Sequence, residues 1–475
     1  MSTSNVEQGV QTAQYVPEQR RWAVLMAFSL ANMANSMLWV TFAPIASLAE
    51  SYYSITDTGI NAFSISYLVA YIPGSLVALA VYSFRRDGLR RGIVLAAVTS
   101  AIGAFLRYFA SSPKPVYGLM LTGQYLAALA QPFFTNVPPK VATAWFPTSE
   151  RDFATVVASM ANPVGIAVGS ILPAIFVSQK DDRTVEGMDT LLFVEAILVT
   201  IGAAVAAAFV KSRPSAPPSA AAVNEALESN DEVSVFGLLS HNAVRCMKNR
   251  HFLVLLIAFG IGLGMFNALT KLVDQLIAPF CYSEDDASLF AGILLGFGLL
   301  SAGVVGLYLD QSHLYTFVLK TLFSLATASI LLYSLMLRPD ARVGLAVTFA
   351  ILGGTMLPIL PTAMEAAVEC THPVPEEYST GLIMSAGMIT GICFIVGLQR
   401  LVDTEPTCDE NNHGYYFSWA SVVLLSSGVV ATITAFQFRG PMLRLQAEQE
   451  IMGEIEQAGQ RNGEEPLLSE NDGET

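Results

Sequence analysis

Charge is scarce in this 475-residue chain: Asp, Glu, Lys and Arg make up 13% of it, about half the share usual in soluble domains. With 53% hydrophobic residues, that scarcity excludes a disordered chain and sets ordinary soluble enzymes aside. Histidine and cysteine are few as well, five of each. The histidines are scattered and the cysteines lack zinc-type spacing, so neither a metal site nor a converging catalytic set is expected. No long basic run offers a nucleic-acid surface. There is no G-x-x-x-x-G-K-[ST] loop to support ATP hydrolysis within the chain and no N-x-S/T sequon. No cofactor is expected, and an enzyme is not the expected class.

What remains is apolar. A mean hydropathy of +0.50, with glycine and proline recurring inside apolar stretches, is the composition of an all-α polytopic membrane protein. A bilayer core of about 30 Å takes roughly 20 apolar residues per helix. At that length six spans fall near Trp22–Glu50, Gly59–Phe84, Gly92–Ala110, Val116–Ala144, Phe153–Val177 and Thr190–Val210. Six more fall near Phe252–Phe280, Ser288–Leu309, Leu314–Leu337, Val343–Val368, Thr380–Leu401 and Tyr415–Phe438. Met1 to Glu18 lacks the basic region and apolar core of a secretory signal, so the first helix is expected to insert as its own signal.

Between the sixth and seventh spans the Pro- and Ser-rich run Arg213–Ser219 and an acidic patch read as a linker. Its end, Val233 to Arg250, has the pattern of an amphipathic surface helix. The layout is therefore an N-terminal segment (1–21), a six-helix bundle (22–210), a linker (211–250), a second six-helix bundle (251–438) and an acidic, disordered tail (439–475). Six plus six spans about a long connection is the plan of the major facilitator fold. The net charge of −14 sits in the linker, in Glu284–Asp286 and in the tail, where solubility accounts for it. Basic residues such as Arg20, Arg85, Arg90, Arg151, Lys211, Arg245 and Arg439 collect on the side that would hold both termini, which puts that side in the cytoplasm.

The halves echo each other. Pro147–Arg151, leading to Gly165, aligns without gaps with Pro373–Glu377, leading to Gly391. Each block follows a span with prolines near one end, Pro138 and Pro139 in one half and Pro358 and Pro361 in the other. Gly306-Leu307-Tyr308-Leu309-Asp310 has the G-x-L-x-D form common after a second or eighth span in facilitator transporters. Repeated halves with interrupted helices place a substrate site near the midplane between them. Gly165/Gly169 and Gly260/Gly264 have the spacing that lets helices approach closely.

Asn35–Pro44, Leu129-Ala130-Gln131, Ala144-Trp145-Phe146-Pro147 and Ala367–Pro373 resemble the feline leukaemia virus subgroup C receptor-related family, solute carrier family 49. Ser159–Gly165 and Leu443–Glu448 resemble its third member. The resemblance covers all twelve spans and implies a transporter of small solutes, since relatives move choline, ethanolamine, haem or pyridoxine. It also implies site residues. Trp39 matches a first-span tryptophan of an aromatic cage for quaternary ammonium, a cation–π arrangement, and Gln131 matches a fourth-span glutamine lining the same cavity. A seventh-span tyrosine of the cage falls on Asn267, and an eleventh-span glutamine on Met388. A small organic cation or vitamin-like base is the first substrate reading. A porphyrin, tolerated by Phe266 and Met388, is the second, and a transport-inactive receptor or sensor is the third.

Other polar groups are singled out by their place in apolar spans. Lys271 and Asp274 lie three apart on one helical face, where they can neutralise each other; Asp274 is the candidate acid for attracting a cation or taking a proton. Lys140, Glu365 and Glu369 lie near corresponding span ends of the two halves, so a Lys140–Glu365 pair could lock that side, with Asp310 as a further gating group. Arg107 either reaches a headgroup or meets a carboxylate, and Gln124 is read as structural. Cys281 and Cys408 fall in loops on the side away from the termini, where a disulfide is permitted. The expected partners are a small molecule and the lipid bilayer, with the chain a monomer. Glu464–Leu468 resembles an acidic dileucine signal, so plasma and endolysosomal membranes both stay open.

Overall fold

The structure is a computed structural model, and it describes residues 18–55, 57–83, 87–111, 116–181, 184–215, 235–339, 341–402, 418–450 and 453. A backbone inside hydrocarbon must satisfy its own hydrogen bonds, and the apolar segments are helical accordingly. The first half holds α1 (Arg20–Val40), a short α2 (Ala46–Tyr53), α3 (Asp57–Tyr82), α4 (Gly88–Ser111), α5 (Tyr117–Thr135), α6 (Pro138–Trp145), α7 (Arg151–Phe176) and α8 (Met188–Phe209). A two-stranded hairpin, β1 (Ser178–Asp181) with β2 (Thr184–Glu186), joins the last two. After the surface helix α9 (Val235–Lys248), the second half holds α10 (Arg250–Ile277), α11 (Glu284–Ser312), α12 (Tyr315–Met336), α13 (Arg342–Met356), α14 (Ile359–Thr371), α15 (Glu376–Val402) and α16 (Trp419–Gln437).

Among the described residues, eleven segments are long and apolar enough to cross a membrane. The remaining crossing is α5 and α6 in series. It starts where the Tyr117 hydroxyl donates to the Gly59 carbonyl at 3.0 Å and ends where the Trp145 indole donates to the Lys211 carbonyl at 3.1 Å. Buried Gln124, Gln131 and Lys140 dilute its apolar character, so composition alone does not pick it out. Several expected single helices are broken in the same way. The first stops at Val40 and resumes as α2, with Pro44 in the turn between, because proline lacks an N–H and crowds the preceding turn. The fourth and tenth break before Pro138 and at Pro358, giving the pairs α5/α6 and α13/α14 at matching places in the two halves.

Packing within each half uses small residues. Gly165 and Gly169 set α7 against the Met33 and Met37 carbonyls of α1, and Gly264 sets α10 against Thr390 of α15, closer than any side chain allows. Buried polar side chains then tie helices together. Asn35 donates to Ser100 Oγ at 2.8 Å and to the Ala127 carbonyl at 2.9 Å, and Gln124 donates to the Leu38 and Phe63 carbonyls at 3.1 and 3.2 Å. Arg107 meets Glu195 at 3.2 Å, both 1% exposed. The outward faces of the helices are apolar, as at Leu300 and Val304 on α11, which suits lipid contact.

Glu18, Glu150, Lys211 and Ser215 share one end of the bundle: Arg21 binds Glu150 at 3.0 Å, and Glu18 accepts from the Ser215 backbone N–H. This is called the terminus side. The far side carries the hairpin, Arg342 paired with Asp286 at 2.6 Å, and Cys281, which is disulfide-bonded. Its expected partner Cys408 lies outside the described residues; Cys246, Cys370 and Cys393 are free. Arg85 and Arg86 also lie outside the described residues, as does the acidic dileucine-like Glu464–Leu468.

Candidate functional site

Trp39 stands near the far-side end of α1, half-buried, with its indole N–H on the Ser64 carbonyl of α3 at 3.2 Å. Tyr67 lies beside it at 6.3 Å between ring centroids. Its other neighbour comes from the opposite half: the Lys271 ammonium on α10 lies 5.8 Å from the Trp39 ring centroid and donates to Ser64 Oγ at 2.8 Å. The Trp39 ring and Ser64 therefore face the second half. One turn before Lys271, Asn267 donates to Met388 Sδ of α15 at 3.9 Å, with half-buried Phe266 packed on the second half's core. Gln131 is 4% exposed on α5, and among the described residues its amide has no hydrogen-bond partner.

Asp274 takes a different place from the one expected. It is exposed, and among the described residues it makes no ion pair with Lys271 or any other group. The ammonium thus turns across the halves to Ser64 rather than along its own helix.

The terminus side is closed by charge. Lys140 Nζ on α6 reaches both Glu377 carboxylate oxygens on α15 at 2.9 Å, and both side chains are buried. The expected partner Glu365 is instead engaged elsewhere: Thr155 of α7 donates to its Oε1 at 2.5 Å, and Arg444 Nη2 reaches Oε2 at 2.7 Å. Glu369, one turn further along α14, receives Arg444 Nε at 2.8 Å and the Leu445 backbone N–H at 3.1 Å. The reason is geometric, since two carboxylates one helical turn apart match the planar fork of one guanidinium. Asp310, at the end of α11, accepts the Asp152 and Phe153 backbone N–H groups at 2.8 and 3.1 Å. An anion there complements the N-terminus of α7 in the other half. Asp152 in turn receives the Tyr315 hydroxyl at 2.8 Å. His313 Nδ1 lies 3.8 Å from it, and that carboxylate holds the imidazole pKa above its ordinary value.

Arg444 belongs to a terminal helical segment, 443–450, so the ordered chain runs further than the expected start of a disordered tail at residue 439. The segment lies across both halves. Besides Glu365 and Glu369, Arg444 reaches Thr143 Oγ1 of α6 at 3.2 Å, and Glu448 pairs with Arg151 at 2.8 Å and accepts from Thr148 at 3.0 Å. Burial pushes the Glu448 carboxyl up, but Arg151 beside it prevails and holds it below its usual range. Sequence reasoning passed over Glu377, Asp152, Tyr315, Arg444, Glu448 and Ser64. For two of them there was a signal: Arg444 and Glu448 stand four apart in an otherwise acidic tail, the spacing of a helical face.

Two bundles with matched helix breaks and a closure at one end define a secondary transporter of the major facilitator type. Residues 25–398 match the Major Facilitator Superfamily. Solute carrier family 49 member A3 of Xenopus tropicalis is 31% identical over 88% of this chain and 86% of its own. The protein of that name in Danio rerio is 29% identical over 94% and 93%. The choline/ethanolamine transporter FLVCR2 of Homo sapiens is 28% identical over 82% and 73%. Among solved structures, the transporter FucP in its outward conformation aligns with a TM-score of 0.63, at 16% identity over 87% of this chain and 98% of that one. The proton:xylose symporter XylE aligns with a TM-score of 0.68, at 11% identity over 92% and 100%. Both share the fold. The chain belongs to the Major Facilitator Superfamily and, within it, to solute carrier family 49.

Proposed function

We propose that the chain moves a small organic solute across a membrane by alternating access, binding it between the halves near Trp39, Gln131, Phe266, Asn267 and Met388. The observation that carries this reading is the unpartnered amide of Gln131, 4% exposed. Both its donor and its acceptor are uncommitted among the described residues, and a polar group of a solute would engage them. Lys140–Glu377, Glu365, Glu369 and Asp310 act as the gate of the terminus side, which the excess of basic residues assigns to the cytoplasm. With that gate shut, solute enters from the far side. The names of relatives such as FLVCR2 support an amine of the choline or ethanolamine kind.

The test is uptake into proteoliposomes of a panel of neutral, cationic and zwitterionic solutes, with choline, ethanolamine and pyridoxine among them. Saturable uptake that falls about tenfold in Trp39→Ala and in Gln131→Leu, as loss of one to two kcal/mol of binding requires, supports the reading. Binding without flux across the panel would make the chain a receptor on a transporter scaffold.

A further inference from the structure

The buried basic side chains of this protein meet carboxylates almost wherever they occur. Arg107 has Glu195, Lys140 has Glu377, Arg151 has Glu448, and Arg444 has Glu365 and Glu369. Lys271, half-buried, differs from them. It lies inside α10, its ammonium donates to the neutral Ser64 hydroxyl at 2.8 Å, and among the described residues no carboxylate stands within ion-pair distance. Asp274, the acid closest in sequence, is exposed and apart from it. A charge in a span is costly unless it is paired or faces water, and an ammonium with three donors has used one.

We propose that Lys271 sets the charge of the solute: the site takes a small organic molecule bearing a carboxylate, which replaces Ser64 on the ammonium while the rest of the molecule lies against Trp39. The inference rests on the transport reading above and replaces its plain amine by a solute that bears a carboxylate. The aromatic face that would otherwise hold a quaternary ammonium is already occupied by a cation, the Lys271 ammonium at 5.8 Å from the ring centroid. A free cation seated on the same ring would meet a like charge, which disfavours it. A carboxylate reverses the sign of that term and supplies the missing counter-charge. Gln131, unpartnered and buried on the first half, is left to bind a second polar group. Because the Lys271–Ser64 bond joins the two halves, exchanging Ser64 for solute also releases a cross-half contact near the far side.

The experiment compares matched pairs that differ only in this group, betaine against choline and nicotinate against nicotinamide, on the full chain. Binding is read by thermal shift and flux in proteoliposomes. The carboxylate member of at least one pair is expected to stabilise and to enter, with Lys271→Met lowering both at least tenfold and Lys271→Arg retaining them. Equal loss of both members in Lys271→Met would mean a plain latch between halves and overturns the proposal. So does choline flux that Lys271→Met leaves unchanged, although transport itself would then stand. Carboxylate binding that depends on Lys271 without flux upholds the charge assignment and sinks the transport reading instead. If no carboxylate binds, the proposal falls.

Discussion

Lys140 and Glu377 have side chains 9% and 2% exposed and 2.9 Å apart, one on each half. Removing one partner of such a pair leaves a buried charge alone, at a cost of about 3–5 kcal/mol. That penalty applies only while the terminus side is closed, so it tilts the balance between closed and open states. Moving a two-state equilibrium from 1:99 to 99:1 takes about 5.5 kcal/mol, which makes this one contact comparable to the whole switch. Lys140→Ala and Glu377→Ala are each expected to impair flux at least tenfold, and the exchange Lys140→Glu with Glu377→Lys to restore much of it. The same exchange against Glu365 should rescue nothing, because Glu365 is held by Arg444 and Thr155. The sequence made Lys140 visible as a charge in an apolar segment. It did not reveal the partner, since Glu365, Glu369 and Glu377 fall within thirteen residues on two successive helices, and the packing of those helices decides which faces across. The reversal at Lys271 has the same origin: three-residue spacing suggests Asp274, whereas the approach of α3 supplies Ser64.

The terminal helical segment 443–450 ties elements of both halves that are far apart in the chain. Arg444 joins α14 to Thr143 of α6, and Glu448 joins the segment to Arg151 and Thr148 at the start of α7. Opening the terminus side must break at least one of these sets, because they straddle the surfaces that would part. Arg444→Ala strands the buried Glu365 and Glu369 carboxylates, whereas Arg444→Lys keeps the charge and loses the fork. A cysteine placed at Met160, buried on α7 against the core of the other half, reports the opening. Its maleimide labelling is expected to rise several-fold in Arg444→Ala and less in Arg444→Lys. No change in labelling would mean that the segment merely rests on the bundle. At this scale the helices themselves were readable from hydropathy, and the breaks near Pro138 and at Pro358 from proline. The strap was legible only as a helical face, from the four-residue spacing of Arg444 and Glu448; its docking was not, because burial against Glu365 and Glu369 alone distinguishes a docked helix from a solvated one.

At the scale of the whole molecule the two sides are held unequally. The terminus side is joined by ion pairs, by Asp310 on the N-terminus of α7 and by the terminal segment, while nearer the far side the Lys271–Ser64 hydrogen bond spans the halves. A hydrogen bond involving a charged group contributes about 1.5–3 kcal/mol, and deleting one member of a buried ion pair strands the other at about 3–5 kcal/mol. The structure holds the terminus side closed, and a solute can reverse that only by binding the other state more tightly. Spin labels make the prediction concrete: one pair at Ser51 and Ala278 on the far side, another at Arg91 and Leu314 on the terminus side. Lys140→Ala is expected to lengthen the second distance and shorten the first, because each half moves as a body. Its internal packing, fixed by close approaches such as Gly165 on Met33, leaves distances within a half unchanged. If the terminus side lengthened while the far side stayed as it was, the halves would not rock about a central site, and the two gates would have to be treated as independent.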